Sequence, residues 1–174
     1  MIVEAAGVTK PTLYYHFGSK EGLANALLTK PLVELAAVLQ SLSTTGTDPV
    51  AALSLLIEAH FAFCREDPDR ARFVYAVNFG PLATELANET SELCVGLETA
   101  LRDAVANLAD HGLIEPERVA AMTSACQGII IVSTIDYLYK QGDLGPGLAS
   151  RIVDDLLVGF GRHGRVSSLG EIVS

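Results

Sequence analysis

Apolar residues return every three or four positions along almost the whole chain, and no stretch alternates with period two. That spacing builds helices with a buried stripe each, not sheets. The punctuation agrees. Thr9 stands two residues before Pro11, and Asp48-Pro49, Asp67-Pro68 and Glu115-Pro116 each set a polar residue before a proline that needs no intrahelical N–H in a first turn. The expectation is an all-α chain. Its helices cover 9–17, 19–42, 48–65, 67–77, a long one ending at "DHG", 115–140 and 148–162, after a helix end over 2–6 closed by Gly7. "STTGT", "NFGP" and "QGDLGPG" read as breaks, and the tail "HGRVSSLGEIVS" as frayed.

Composition narrows the classes. The 174 residues, 49% hydrophobic and 19% charged, suffice for one good core or a small module plus a larger one. Mean hydropathy is +0.34, so much apolar surface must be hidden, a subunit interface included. Cys64, Cys94 and Cys126 are scattered and odd in number, which reads as free thiols in a reducing compartment. The first twenty residues lack an apolar run behind a positive start, and "GIIIVSTI" is too short to cross a bilayer. The expectation is a cytoplasmic protein without a membrane partner. No nucleophile elbow, HExxH or Gly-rich phosphate loop occurs, so an enzyme is not expected, nor a cofactor or bound metal. His111 and His163 stand beside glycines at helix ends, where a histidine caps a carbonyl. Net charge is −9, but residues 1–30 carry +1 and residues 31–174 carry −10. An acidic body with a mildly basic end is compatible with a tip that meets phosphate.

Between Val119 and Ile135 the chain is apolar or small nearly all round, so a helix there must be covered on several sides. Ala120, Ser124 and Gly128 form a ridge of small residues, and Ile152, Val153, Leu156, Leu157 and Phe160 form a stripe on the last helix. Either the helices at about 116–140 and 148–162 pair with their copies in a homodimer, or the first is the central helix of a monomeric bundle.

The stretch "AAGVTKPTLYYHFGSKEGL" points to a partner. On a helix over 9–17, Leu13 and Phe17 lie within 40° of each other and face inward, while Pro11 and Tyr15 point away with Thr12 and Tyr14 beside them. A solvated face would carry Glu, Lys, Gln or Ala. Tyrosine hydroxyls can donate to phosphate oxygens and their rings can pack on sugar or a thymine methyl. The other reading packs both rings against a neighbouring helix. Helix, glycine turn and second helix with a polar aromatic face make a helix-turn-helix.

This stretch resembles the recognition element of the tetracycline-repressor (TetR) family of bacterial transcriptional regulators, in the run Ala-Ala-Gly-Val-Thr, then Leu-Tyr-Tyr-His-Phe and Ser-Lys-Glu. The resemblance implies a TetR-like fold, with residues 1–42 as DNA-binding head and connecting helix and 43–174 as ligand-binding and dimerisation domain. It implies that Thr9, Lys10, Pro11, Thr12, Tyr14 and Tyr15 face double-stranded DNA and that Lys20 meets a phosphate. His16 is either a phosphate contact or a packing residue. The usual first helix is missing from the pattern, so the head is expected to be incomplete.

Within the body, polar or aromatic groups in apolar helical surroundings are the pocket candidates: His60, Phe63, Tyr75, Asn78, Gln127, Thr134 and Tyr137. Each either lines a cavity or belongs to the core, and Gln127 has the further option of bonding across a dimer interface. A cavity with few polar anchors suits a small hydrophobic or aromatic effector. The expected activity is a ligand-responsive regulator, a repressor released from a palindromic operator. The alternative is a dimeric small-molecule sensor that does not bind DNA by itself.

Overall fold

The computed structural model describes residues 7, 9–19, 22–23, 25–44, 48–79 and 85–161, with backbone alone for 44 and 85–94. Helix α1, Lys10–Phe17, starts at Thr9, whose hydroxyl accepts the Thr12 N–H at 3.3 Å. It closes at Gly18, where φ is 71° and a side chain would be strained. Ser19 Oγ then accepts the Gly22 N–H at 3.0 Å and opens the next segment.

That segment is not the single regular helix expected over 19–42. A π-helical turn, Asn25–Thr29, leads into α2, Lys30–Thr44. The cause is next to it: Pro31 has no N–H to return to the carbonyl four residues back, and its ring crowds that carbonyl, so the wider turn takes up the mismatch. Helix α2 also runs on through Ser43 and Thr44, which had been read as loop.

Asp48 caps α3, Pro49–Glu66, its Oδ1 accepting from the N–H groups of Val50 (3.0 Å) and Ala51 (3.1 Å). Helix α4, Pro68–Phe79, extends into the tetrapeptide read as a break, because Asn78 and Phe79 still belong to it. The long α5, Glu85–Asp110, follows. His111 Nδ1 lies 2.9 Å from the Asn107 carbonyl, the cap expected at its end. A 3₁₀ turn, Pro116–Arg118, precedes α6, Val119–Tyr139, and α7 covers Leu148–Phe160. The expected helix end over 2–6, the tail from 162, and the side chains of Leu86, Leu93 and Cys94 lie outside the described residues. No strand occurs among the described residues.

The core gathers one stripe from each helix of the body. Ala100, Leu101, Ala104, Val105 and Leu108 of α5 are buried against α2 and α3. Leu35 and Leu39 of α2 join the same cluster, so the connecting helix is built into the body well before residue 43. Leu53, Ile57 and Phe61 of α3 and Met122 and Cys126 of α6 complete it. Ile152, Val153 and Leu156 of α7 also face this core, packed on α3. The stripe expected to meet a second subunit is thus largely spent inside its own chain, since α3 offers it an apolar face at once. Outside, α7 presents Val158, 80% exposed, and Gly159 beside the exposed polar residues Ser150, Arg151, Asp154 and Asp155. On α6, Ala120, Ser124 and Gly128 are exposed as a ridge that continues into Val132.

Two clasps fix the C-terminal end of the body. The Arg118 guanidinium donates to the carbonyls of Phe160 (3.1 Å) and Gly159 (3.0 Å) and stacks on the Phe160 ring at 4.7 Å, which satisfies the end of α7. Gly142 closes tightly on α6, where a β-carbon would meet the Asp136 carbonyl carbon at 2.8 Å. The segments Asn25–Ser43 and Pro116–Tyr139 are long and apolar enough to cross a bilayer, with mean hydropathy 1.2 and 1.4, although the eight-residue run alone is not. Both give buried residues to the interior of the helical body, Leu28, Leu32 and Leu39 from the first and Met122 and Cys126 from the second.

Leu108 is fully buried on α5. Leu108→Ala is expected to lower unfolding stability by about 2–5 kcal/mol, read as a drop in the urea midpoint without a change in slope.

Candidate functional site

Two features have the geometry of sites. The first is the outward face of α1. Tyr15 is 86% exposed and Tyr14 49%, so the two phenol rings stand off the helix as its spacing requires. Thr9, Lys10, Pro11 and Thr12 are exposed on the same short helix and its cap. The Thr9 and Thr12 hydroxyls lie 2.8 Å apart, so one donates a hydrogen bond to the other while Thr9 Oγ1 also accepts the capping N–H. His16 is exposed and its ring meets the edge of Tyr15, with centroids 5.4 Å apart at 79°. Lys20 lies outside the described residues. On the other side, Leu13 is half-buried and Phe17 is 36% exposed, less covered than an inward pair is expected to be.

The second is a partly open cavity of about 320 Å³ lined by α2, α3, α4, α5 and α6. Leu32, Leu35 and Leu39 of α2 form one wall, and Leu97 and Leu101 of α5 another. Of the pocket candidates, His60, Phe63, Tyr75, Asn78 and Gln127 line it. Thr134 and Tyr137 do not. Both stand further along α6, where Arg72 of α4 donates to the Leu138 carbonyl at 3.0 Å and draws α4 against that end. Thr134 is fully buried behind Cys64, and Tyr137 packs on the core. The apolar α2 wall was not legible as a lining surface. Its leucines follow the same stripe as any core residue, and only the arrangement of five helices leaves space beside them.

Apart from Glu98 at its border, the polar side chains that line the cavity are His60, Tyr75, Asn78 and Gln127. Tyr75 Oη and His60 Nε2 lie 3.4 Å apart, joining α4 to α3, and the Tyr75 ring also meets Phe79 at 5.6 Å. Burial in this apolar setting pulls the His60 pKa down to about 4. Burial likewise pushes the Cys64 thiol up to about 11, so it is an inert lining group. Glu98 also borders the cavity and is exposed. Among the described residues no group of three or more His, Cys, Asp or Glu is placed to hold a metal ion.

A short capped helix with an exposed aromatic face thus precedes a helical body that surrounds an apolar cavity. Residues 1–27 match the family described as bacterial regulatory proteins, tetR family. Over 74 residues, 42% of this chain, the sequence is 35% identical to the HTH-type transcriptional activator FasR of Mycolicibacterium smegmatis, and the match spans only 34% of that relative's length. The fold is similar to a putative fatty acid metabolism regulator of Clostridium perfringens, with TM-score 0.68 and 18% identity over 91% of this chain and 83% of that one. It is similar too to the ketosteroid transcriptional regulator KstR2 of Mycobacterium tuberculosis, with TM-score 0.68 and 22% identity over 92% and 83%. PfmR of Thermus thermophilus, a TetR family transcriptional regulator, follows with TM-score 0.64 and 22% identity over 90% and 83%. The first 27 residues thus resemble the TetR family in sequence, and the described body resembles solved regulators in fold.

The lowered His60 pKa sets a pH dependence. Between pH 6.5 and about 4 the unfolded chain binds a proton there that the folded chain refuses, so stability falls as pH falls through that window. The expected loss from this group is roughly 3 kcal/mol by the bottom of the window. In chemical denaturation at stepped pH, His60→Gln should lose less stability across this window than the parent chain.

Proposed function

We propose that this chain is a ligand-responsive, DNA-binding transcriptional regulator that works as a homodimer in the cytoplasm. The observation that carries the reading is the exposed pair Tyr14 and Tyr15 on a capped helix beside a glycine turn. In a dimer, two such helices set one turn of B-DNA apart, about 34–36 Å, read a palindromic operator through the major groove. Thr9, Lys10, Thr12 and Tyr14 then supply donors to the backbone, with Lys20 on a phosphate, and Tyr15 reaches furthest toward the bases.

The two copies meet through α6 and α7. The exposed ridge of Ala120, Ser124 and Gly128 lets a second α6 approach closely, and Val158 and Val132 supply apolar area at its sides. The residues first expected at this interface on α7 are core residues, so the contact rests more on α6.

The effector is a small hydrophobic molecule held in the 320 Å³ cavity. Relatives named for fatty acid and ketosteroid regulation support an apolar effector class. Helix α2 forms a wall of that cavity and leads back through the π turn to the head. A ligand that fits better with α2 displaced therefore favours another spacing of the recognition helices. Its differential affinity for the two states sets the coupling, commonly about 1–3 kcal/mol. Release of the operator on ligand binding is the expected direction, that of a repressor. The relative named as an activator makes a promoter fusion with and without effector the measurement of sign.

A second reading, a dimeric sensor that does not bind DNA by itself, draws on the absence of any buried residue from α1. Electrophoretic mobility shift against the chain's own promoter region separates the two.

Tyr15→Ala should weaken operator binding by about tenfold while dimerisation and ligand binding persist. Loss of all three together would make the residue structural. Gly128→Leu should convert dimer to monomer in light scattering with helicity retained, and an unchanged dimer would place the interface elsewhere.

A further inference from the structure

The polar inventory of the cavity specifies the head group of its ligand. We infer that the cavity takes an uncharged lipophile carrying a hydroxyl or carbonyl oxygen and turns away a carboxylate on the same skeleton. This rests on the cavity being the effector site.

The groups that line the space from three helices are His60 of α3, Tyr75 and Asn78 of α4 and Gln127 of α6. Each can pair with a neutral oxygen by donating or accepting, and none neutralises an anion. His60 stays uncharged near neutral pH because burial lowers its pKa to about 4. Glu98 is the one formal charge among the described lining residues, and its sign is negative. Just before it on the same helix, the sequence places Glu85, Glu89 and Glu92, while Gly80 to Cys94 contains no Lys or Arg.

Three guanidinium groups lie on α3 and α4, and each is held by an acidic partner. Arg65 pairs with Glu58 at 2.6 Å and donates to the Leu144 carbonyl. Arg70 pairs with Glu66 at 3.2 Å and stacks at 4.3 Å on the ring of Phe63, a lining residue that stands between it and the cavity, while its Nε is buried without a hydrogen-bond partner. Arg72 pairs with Asp69 at 2.6 Å and donates to the Leu138 carbonyl, and none of the three is among the lining residues. A carboxylate entering the cavity would shed water among leucines with no cation among the described lining residues to meet, at a large desolvation cost. An alkylammonium would meet Glu98 only where that residue is exposed, and inside it would find neutral acceptors but no counter-charge among the described lining residues. A neutral oxygen pays far less, and a His60–Tyr75 pair at 3.4 Å has room to tighten around it. The volume, about 320 Å³, is at the small end of ligand pockets, which run from about 300 to 1,000 Å³.

The test uses the full chain and the uncharged fluorophore N-phenyl-1-naphthylamine, whose signal meets no tryptophan in this protein. Competitors share one skeleton: 1-decanol, decanoate and decylamine at neutral pH. Decanol should displace the fluorophore at a concentration at least about tenfold below either charged analogue, a difference of about 1.4 kcal/mol. Decanoate or decylamine competing as well as decanol overturns the inference, while the cavity remains an effector site. The double variant His60→Leu, Gln127→Leu should weaken decanol by about tenfold with fluorophore binding retained as proof of folding. Unchanged decanol affinity in that variant overturns the anchoring role. Failure of all three competitors in direct calorimetry removes both the inference and the effector site. An operator shift measured on the same samples scores the DNA-binding reading separately.

Discussion

Helix α2 has to satisfy two demands with one apolar stripe. Leu35 and Leu39 are buried in the main core, and with Leu32 they also form a wall of the cavity. The helix therefore cannot float as a linker. It is held by the same burial that stabilises the body, and α5 is the surface it is held against. Everything proposed about communication between cavity and head depends on this double use. A ligand touching Leu32, Leu35 and Leu39 touches the element that carries the chain back toward α1.

The π turn before α2 places a break in that connection where it matters. An uninterrupted helix would transmit any tilt of α2 rigidly. A turn of π-helix next to Pro31 lets the preceding segment take a different direction at small local cost. Leu28 within the turn packs with Leu32, Val74 and Phe63 in a small second cluster, so the bend is itself packed against α3 and α4. Phe63 borders the cavity from the same cluster. Turn, cluster and cavity are thus contiguous in space.

Much of the fold was legible because helix termini in this chain are written in residues with local physics. Thr9, Ser19 and Asp48 accept first-turn N–H groups in the structure, and Gly18 takes the positive φ that its turn requires. The errors came where local rules met tertiary packing. The stripe Ile152, Val153, Leu156 has the same pattern whether it faces a partner or its own core, and α3 decided for the core. Pro31 was visible, but a proline within an apolar run does not say whether a helix stops, kinks or widens. Thr134 and Gln127 lie on one face of α6, and only the draw of α4 toward Leu138 puts one outside the cavity and the other in its lining.

By itself the sequence determined an all-helical chain with an aromatic, hydroxyl-rich face at one end, because period and capping act over a few residues and need no knowledge of neighbours. It also determined which polar side chains sit in apolar surroundings. Only the tertiary structure decided that five helices leave a space between them, and that His60, Tyr75, Asn78 and Gln127 border it together. A cavity is the volume that packing fails to fill, and that depends on the mutual placement of helices far apart in sequence, which no single stripe encodes.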